Sequence, residues 1–365
     1  MNETIAGEAP AVRRPCAVCR RCGKCGSGAD ILVTGRRELP SGDRDGTGLA
    51  VDIGTTTVVL RHLDLRTGRE IDRRGFMNPQ RRFAADVMGR ITAAGEGHLA
   101  ELTDGINSAI GAFGADETVI TGNTTMLHLL CGLSPADYAT APFKAKHLFG
   151  ETADLPGGRA YLPRCAHAFV GADITCAILA CDLCADGAPR LLADVGTNGE
   201  LALWKDGRLF VTSTAAGPAF EKPGVKGSDL VAAIADHLEG APLPDLISPA
   251  DVAAVQLAKA AVAAGIATLL EATDTAEGDI AEFHLAGGFG TGLDIGKAVR
   301  IGLIPAAFAA RTTVDGNAAI EGAALMLLRP ELREQYARFA DAAEHVELGG
   351  NPDFDDRFIE NLAFS

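Results

Sequence analysis

The chain has 365 residues, of which 47% are hydrophobic, and a formal net charge of −15. At roughly 150 residues per domain, this length predicts two or three structural units. No run of about 18 consecutive apolar residues occurs, which argues against a membrane span, and the N-terminus lacks the apolar stretch of a signal peptide. Nucleic-acid binding needs a basic face, which an acidic chain does not supply in bulk. We therefore expect a globular, cytoplasmic protein that binds neither membrane nor nucleic acid.

The first segment, residues 1–45, contains four regularly spaced cysteines followed by a polar, glycine-rich linker. The cysteines are separated by two residues each and are Cys16, Cys19, Cys22 and Cys25. This spacing is typical of metal ligands rather than disulfides, and cytosolic thiols stay reduced. The same C-x2-C-x2-C opening occurs in bacterial iron–sulfur proteins. We favour an iron–sulfur cluster, with a zinc site or no metal as the alternatives.

Residues 46–185 are expected to form the first half of a duplicated unit. An apolar strand ends near Asp52 and is followed by a turn of small residues, Gly54, Thr55, Thr56 and Thr57. Glycine lets backbone N–H groups approach a phosphate closely, and an aspartate at a strand end can reach a bound cation. The sequence of residues 169–173 predicts a further glycine-containing turn that leads into a buried helix, with Asp173 near the helix start.

The pattern of the first turn recurs at the centre of the chain. An apolar run ends at Asp194, which aligns with Asp52, and a second apolar run follows the turn. The turn is formed by Gly196, Thr197, Asn198 and Gly199. The repeat predicts two halves, residues 46–185 and 186–340, with two phosphate-binding turns that face each other across a cleft. Residues 341–365 are expected to form a tail that packs on the core.

The second half contains a long predicted helix and a late glycine turn. Ser248, Pro249 and Asp251 are typical of a helix start, and the helix extends to about residue 272. Gln256 and Lys259 are three apart and share one face of this helix. After the next predicted strand comes a glycine-rich turn, for which we expect contact with a nucleotide base or ribose: Gly287, Gly288, Phe289 and Gly290.

A second C-x2-C pair lies just before the central strand. Cys181 and Cys184 are two ligands at most, and a zinc site needs three or four. We therefore interpret this pair as an incidental feature of a loop.

Together these motifs resemble the ASKHA fold of actin, sugar kinases and Hsp70, and within it the reductive activators of corrinoid proteins. The resemblance covers residues 48–365, and the matching stretches are 78–80, 122–126, 169–173, 194–200, 213–221, 286–290 and 300–305. It implies an α/β fold with duplicated RNase H-like halves and a nucleotide cleft between them. The implied activity is the ATP-dependent transfer of a low-potential electron from an iron–sulfur cluster to a corrinoid protein, which converts Co(II) to Co(I).

The resemblance also implies roles for individual residues. The two glycine turns would bind the phosphates of ATP, with Mg²⁺ held through water near Asp52 and Asp194. Asp173 would position or deprotonate the attacking water. The late turn, residues 287–290, would hold the adenosine together with Gln256 and Lys259.

The N-terminal segment departs from the family pattern. Members usually carry a whole [2Fe–2S] ferredoxin domain, whereas here only Cys16, Cys22 and Cys25 keep its opening spacing and Cys19 is additional. We favour a [4Fe–4S] over a [2Fe–2S] cluster. The resemblance further implies a reduced ferredoxin-like donor and a homodimer.

Three other functions remain open from the sequence. The first is activation of another low-potential or radical enzyme, such as an acyl-CoA dehydratase. The second is a small-molecule kinase of the same fold with a structural zinc site. The third is a nucleotide sensor without turnover.

Overall fold

The computed structural model describes residues 39–221, 224–289 and 292–364. These residues form an α/β protein with two six-stranded sheets. The four N-terminal cysteines predicted to hold a cluster lie outside the described residues, as does Gly290 of the late turn.

The first sheet contains β1 (Thr47–Ile53), β2 (Thr57–Asp64), β3 (Glu70–Met77), β4 (Glu117–Gly122), β5 (Glu151–Leu155) and β6 (Gly158–Leu162). Its strand order is β3-β2-β1-β4-β6-β5. β1 pairs antiparallel with β2 and parallel with β4. Nearly every residue of β1 is buried, as expected for a central strand that is covered on both faces.

Four helices belong to the first half: α1 (Val87–Ala93), α2 (Leu99–Ile110), α3 (Thr124–Leu130) and α4 (Ala172–Ala180). Two of them start at a side-chain cap. Asp86 accepts a hydrogen bond from the Gly89 N–H at the start of α1, and Asn123 accepts one from the Met126 N–H at the start of α3. Such caps satisfy backbone donors that have no partner within the helix.

The second sheet repeats the arrangement of the first over five of its six strands. Its strands are β7 (Arg190–Val195), β8 (Gly199–Lys205), β9 (Arg208–Thr214), β10 (Glu282–Gly287), β11 (Thr312–Gly316) and β12 (Glu344–His345), in the order β11-β10-β7-β8-β9-β12. β7 pairs antiparallel with β8 and parallel with β10, as β1 does with β2 and β4. The predicted duplicated α/β fold is therefore confirmed.

The second half and the tail contain α5 (Gly227–Leu238), α6 (Pro249–Ala272), α7 (Ile295–Arg300), α8 (Ala318–Leu328), α9 (Glu331–Asp341) and α10 (Pro352–Glu360). α6 starts at the predicted capping box, in which Ser248 and Asp251 bond each other's backbone N–H groups. By length and composition α6 is apolar enough to cross a membrane, but 61% of its most apolar stretch is buried inside the protein. Packing of this helix in the core accounts for its apolar sequence.

Helices α4 and α8 pack against each other between the two sheets. They share one hydrophobic cluster with Val59 of the first sheet and Leu192 of the second. A Cβ atom at Gly322 on α8 would lie 1.9 Å from the carbonyl oxygen of Cys176 on α4, so only glycine permits this approach. Both helices begin at the same cavity, where Asp173 and Asn317 contribute to the wall.

Candidate functional site

A cavity lies between the two halves, at the ends of β1 and β7. Its wall combines the two glycine turns, five acidic side chains and the start of the late turn: Asp52, Gly54, Thr55, Thr56, Thr57, Asn123, Asp173, Asp194, Gly196, Thr197, Asn198, Glu200, Glu221, Gly287, Gly288, Asn317 and Ala319. The structure thus brings together most of the site residues that we predicted from the sequence. None of these lining residues is basic.

The two glycine turns face each other across the cavity. The first connects β1 to β2, and the second connects β7 to β8. The hydroxyl oxygens of Thr56 and Thr197 lie 3.3 Å apart, which is hydrogen-bonding distance. The Thr197 hydroxyl also lies 3.3 Å from a carboxylate oxygen of Glu221. A ligand between the turns would therefore contact both halves at once.

Three asparagines hold the first turn, and each does so from the start of a helical segment. Each side-chain oxygen accepts a backbone N–H of the segment that it caps, so each amide nitrogen is free to donate to the β1 end or its turn. The three donors and acceptors are Asn78 to Gly54 O (2.8 Å), Asn123 to Thr55 Oγ (3.1 Å) and Asn317 to Asp52 Oδ2 (2.8 Å). These three hydrogen bonds hold the first turn in place.

Arg90 supports the same turn from behind. Its side chain is fully buried, and its guanidinium donates to the carbonyl oxygens of Thr55 and Ala84 and to Gln80 Oε1. Burial lowers the pKa of Arg90 to about 10, so the group stays charged at neutral pH. A buried cation therefore lies directly behind the turn and favours an anion in front of it.

Asp52 sits at the end of β1 and is 9% exposed. Burial raises its pKa to about 6, the hydrogen bond from Asn317 opposes this shift, and the nearby charge of Glu221 adds to it. Burial also raises the pKa of Glu221 itself. Both carboxylates are thus destabilised in their charged form by their surroundings.

Three further acids face Asp52 from the other walls. Burial raises the pKa of Asp194 to about 8, with further contributions from the charges of Asp173 and Asp52. Burial and the charge of Asp52 raise the pKa of Asp173 at the start of α4. The pKa of Glu200, which pairs with Asp194 across β7 and β8, is also raised by burial and by these acids.

This arrangement is suited to a divalent cation bound with a phosphate group. Clustered acids with raised pKa values indicate that the site is short of positive charge. Oxygen ligands are those that Mg²⁺ prefers, and it usually binds through few carboxylates plus water and phosphate. Since no lining residue is basic, the backbone N–H groups and hydroxyls of the turns remain to bind phosphate oxygens.

The late turn enters the cavity only in part. Gly287 has φ +109°, and a Cβ there would lie 2.2 Å from the carbonyl oxygen of Val195, so glycine lets this turn touch the end of β7. Gly288 lines the cavity beside it. Phe289 is 1% exposed and packs on Phe220 with ring centroids 4.5 Å apart. We predicted Phe289 as a nucleotide contact, but its ring belongs to the core.

Gln256 and Lys259 lie on α6 and are not among the residues that line the cavity. Lys259 is 2% exposed. Its ammonium donates to the carbonyl oxygen of Ala363 and lies 5.6 Å from the centre of the Phe364 ring. The C-terminal tail therefore covers Lys259, one of the two residues on α6 that we predicted to hold adenosine.

Sequence reasoning missed five residues that shape the site. Glu200 and Glu221 lie in stretches that the family motif includes, so their position in the motif was an available signal. Asn123 likewise lies in the matching stretch 122–126, whereas Arg90 and Asn317 contribute through contacts that no local pattern predicts.

Known proteins share this architecture. Two family models match the chain: the RACo middle region at residues 47–186 and the C-terminal domain of RACo, the ASKHA domain, at residues 188–235 and 228–365. The solved structure of a reductive activator for a corrinoid, iron–sulfur protein superposes with a TM-score of 0.82 at 26% identity, covering 89% of this chain and 67% of that chain.

The names of two curated relatives refer to corrinoid proteins. The corrinoid activation enzyme RamQ of Eubacterium limosum is 29% identical over an alignment 440 positions long, which spans 92% of this chain and 74% of RamQ. A Co(II) methylated amine-specific corrinoid protein reductase of Methanosarcina barkeri is 35% identical over 88 residues, covering 24% of this chain and 16% of the reductase. The chain therefore belongs to the RACo family of reductive activators of corrinoid proteins, which carry an ASKHA domain.

Proposed function

We propose that the protein is an ATP-dependent activator that delivers a low-potential electron to a corrinoid protein and so converts Co(II) to Co(I). The observation that carries the nucleotide part is the cavity in which five acidic side chains and two glycine turns from different halves meet. The corrinoid part is supported by relatives that are named as corrinoid activation enzymes and reductases.

The residues of the cavity fit ATP with Mg²⁺. The first turn, Gly54 to Thr57, and the second, Gly196 to Gly199, would bind phosphate oxygens through N–H and hydroxyl groups. Asp52 and Asp194 would hold Mg²⁺ through its water ligands, and the charge of the ion would favour the ionised carboxylates that burial and the neighbouring acids disfavour. Asp173, at the start of α4, would orient the attacking water.

Closure of the cleft is the means by which ATP could assist an unfavourable electron transfer. A ligand shifts a conformational equilibrium only by its differential affinity for the two states. A triphosphate held by both turns binds the closed arrangement, in which Thr56 and Thr197 are 3.3 Å apart, better than an open one. Hydrolysis and product release would then let the halves separate.

The source of the electron in this proposal is the N-terminal cysteine segment. Its four cysteines lie outside the described residues, and the support for a cluster there is the C-x2-C-x2-C-x2-C spacing. When bound, an iron–sulfur cluster would supply the electron, received from a reduced ferredoxin-like donor. Anaerobic purification should yield iron with matching sulfide, and Cys22→Ser should lose both while still binding nucleotide. Zinc in place of iron would refute this part.

The test of the function is ATP hydrolysis with and without a corrinoid protein in the Co(II) state. We expect turnover to rise when the corrinoid protein is added. An ATPase that ignores every corrinoid protein offered but responds to an acyl-CoA dehydratase would assign the second activator function. Phosphorylation of a metabolite would indicate a kinase, and binding without any turnover would indicate a sensor.

A further inference from the structure

A cluster of potential metal ligands lies away from the cavity, between the end of α4 and the second sheet. Cys181 follows α4, His284 is on β10, and Asp315 is on β11. One ligand atom from each residue lies within 4.8 Å of the other two. We propose that these three residues bind one thiophilic divalent cation of the zinc class.

His284 provides the second line of evidence. It is 6% exposed, and its Nδ1 lies 2.9 Å from Asp315 Oδ2. A cation bound by these two atoms would replace the proton that otherwise lies between them, so the ring proton would be on Nε2. The Nε2–H would then face Glu282 Oε2, which lies 3.3 Å away, and metal-bound histidines usually present their other ring N–H to a carboxylate.

Arg190 pairs with Glu282 on the far side of the ring. Arg190 Nε lies 3.5 Å from Glu282 Oε2, the oxygen that faces Nε2 of His284. The imidazole therefore lies between two carboxylates, Asp315 on the Nδ1 side and Glu282 on the Nε2 side, which favours a cation at Nδ1.

The donor set selects the kind of metal. A thiolate and an imidazole are ligands that zinc prefers over the hard, oxygen-binding cations expected in the cleft. Three protein ligands leave a fourth position for water. Cys184, the second cysteine of the pair, is not among the three. The cluster thus gives Cys181 a role that sequence spacing alone did not suggest, because its partners lie more than 100 residues away in the chain.

The metal site would lie close to the residues that line the cleft, but it would not include any of them. Asp315 is two residues before Asn317, which caps α8 and donates to Asp52. A metal at Asp315 and Cys181 would connect the end of α4 with the strand that leads into α8. These are the two helices that lie between the halves, so the bound ion would brace their junction with the second sheet.

Cobalt binding tests the proposal, because Co²⁺ replaces zinc and shows a charge-transfer band when a thiolate ligates it. The experiment uses the full chain with all four N-terminal cysteines replaced by serine, which removes the other predicted metal site. After chelator treatment, this protein should bind one equivalent of Co²⁺ with a thiolate band. The band distinguishes this site from the carboxylates of the cleft.

Three variants in that background separate the possible outcomes. Cys181→Ser should lose the thiolate band, Asp315→Asn should weaken Co²⁺ and Zn²⁺ binding by roughly tenfold or more, and the control Cys131→Ser, at a half-buried cysteine outside the cluster, should keep both. Zn²⁺ should raise the melting temperature of the control but not of Asp315→Asn.

Two results would overturn the proposal: no thiolate band in the background protein, or equal bands in Cys181→Ser and Cys131→Ser. Circular dichroism shows whether Cys181→Ser folds. If it does not, the test is instead the rise in melting temperature that Zn²⁺ causes in Asp315→Asn, compared with the rise in Cys131→Ser. An equal rise in melting temperature for those two proteins would then contradict the site.

Discussion

The hydroxyl oxygens of Thr56 and Thr197 lie 3.3 Å apart, although 141 residues separate them in sequence and they belong to different halves of the protein. The contact joins the two glycine turns directly. It follows from the duplication of the fold, since each half places its turn at the equivalent end of its central strand. A movement of one half relative to the other would therefore change this contact.

Thr197→Val should weaken binding of Mg-ATP. The valine keeps the shape of the side chain but loses the hydroxyl that lies near Thr56 and Glu221. One hydrogen bond contributes about 0.5 to 1.5 kcal/mol, so we expect the dissociation constant to rise by roughly two- to tenfold. Isothermal titration with a non-hydrolysable ATP analogue measures this. Thr152→Val, at an exposed position of β5, is the matched control, and equal affinities of the two variants would contradict the role of Thr197.

Asp194→Asn should stabilise the metal-free protein while abolishing Mg²⁺-dependent hydrolysis. The pKa of Asp194 is raised to about 8 by burial and by neighbouring acids. Because this pKa is raised in the folded state, ionisation of Asp194 lowers the free energy of unfolding. The loss is absent below about pH 4 and grows as the pH rises toward 8. We expect the variant to be more stable than the wild type by about 1–3 kcal/mol at pH 8, and by less at pH 5.5.

Urea unfolding in the presence of a chelator at both pH values measures this difference. Asp104→Asn, at an exposed acid on α2, serves as the control and should change neither stability nor turnover. A stability difference for Asp194→Asn that does not depend on pH, or normal hydrolysis by that variant, would show that Asp194 is not part of the acidic cluster as described.

Arg90→Gln should lower both stability and nucleotide affinity. The guanidinium donates to the Thr55 carbonyl behind the first turn, and its loss leaves buried acceptors without donors, at a cost of about 2–4 kcal/mol. Arg90→Lys should be nearly as harmful, because an ammonium group cannot reproduce the planar set of donors. Thermal melting and ATP titration measure the two effects. Arg82→Gln, at an exposed arginine, is the control, and indistinguishable behaviour of the two glutamine variants would refute the supporting role.

Lys259→Met should leave nucleotide affinity unchanged and lower the stability of the fold. The ammonium bonds the Ala363 carbonyl under the C-terminal tail, so its removal costs about 1 kcal/mol without touching the cavity. Urea unfolding and ATP titration separate the two effects. A large loss of affinity would instead support the adenosine contact that the sequence suggested.

The sequence predicted the parts of the site that local patterns encode. An aspartate followed by a glycine-threonine turn occurs at both Asp52 and Asp194, and this repeat predicted two equivalent strands with facing turns. The prediction was possible because strand ends and glycine turns are determined by residues that are neighbours in sequence. The sequence could not predict that Asn317 bonds Asp52 from 265 residues away. It also could not predict that the C-terminal tail covers Lys259, because α6 is apolar on most of its surface and its sequence does not show which face the tail contacts.

The most direct test of the central claim is the visible spectrum of a Co(II) corrinoid protein mixed anaerobically with this protein, a reduced ferredoxin-like donor and Mg²⁺. The account predicts that the Co(I) spectrum develops only after ATP is added. It also predicts that neither Asp194→Asn nor Cys22→Ser supports the change. Reduction that proceeds equally without ATP, or equally with Asp194→Asn, would contradict the account.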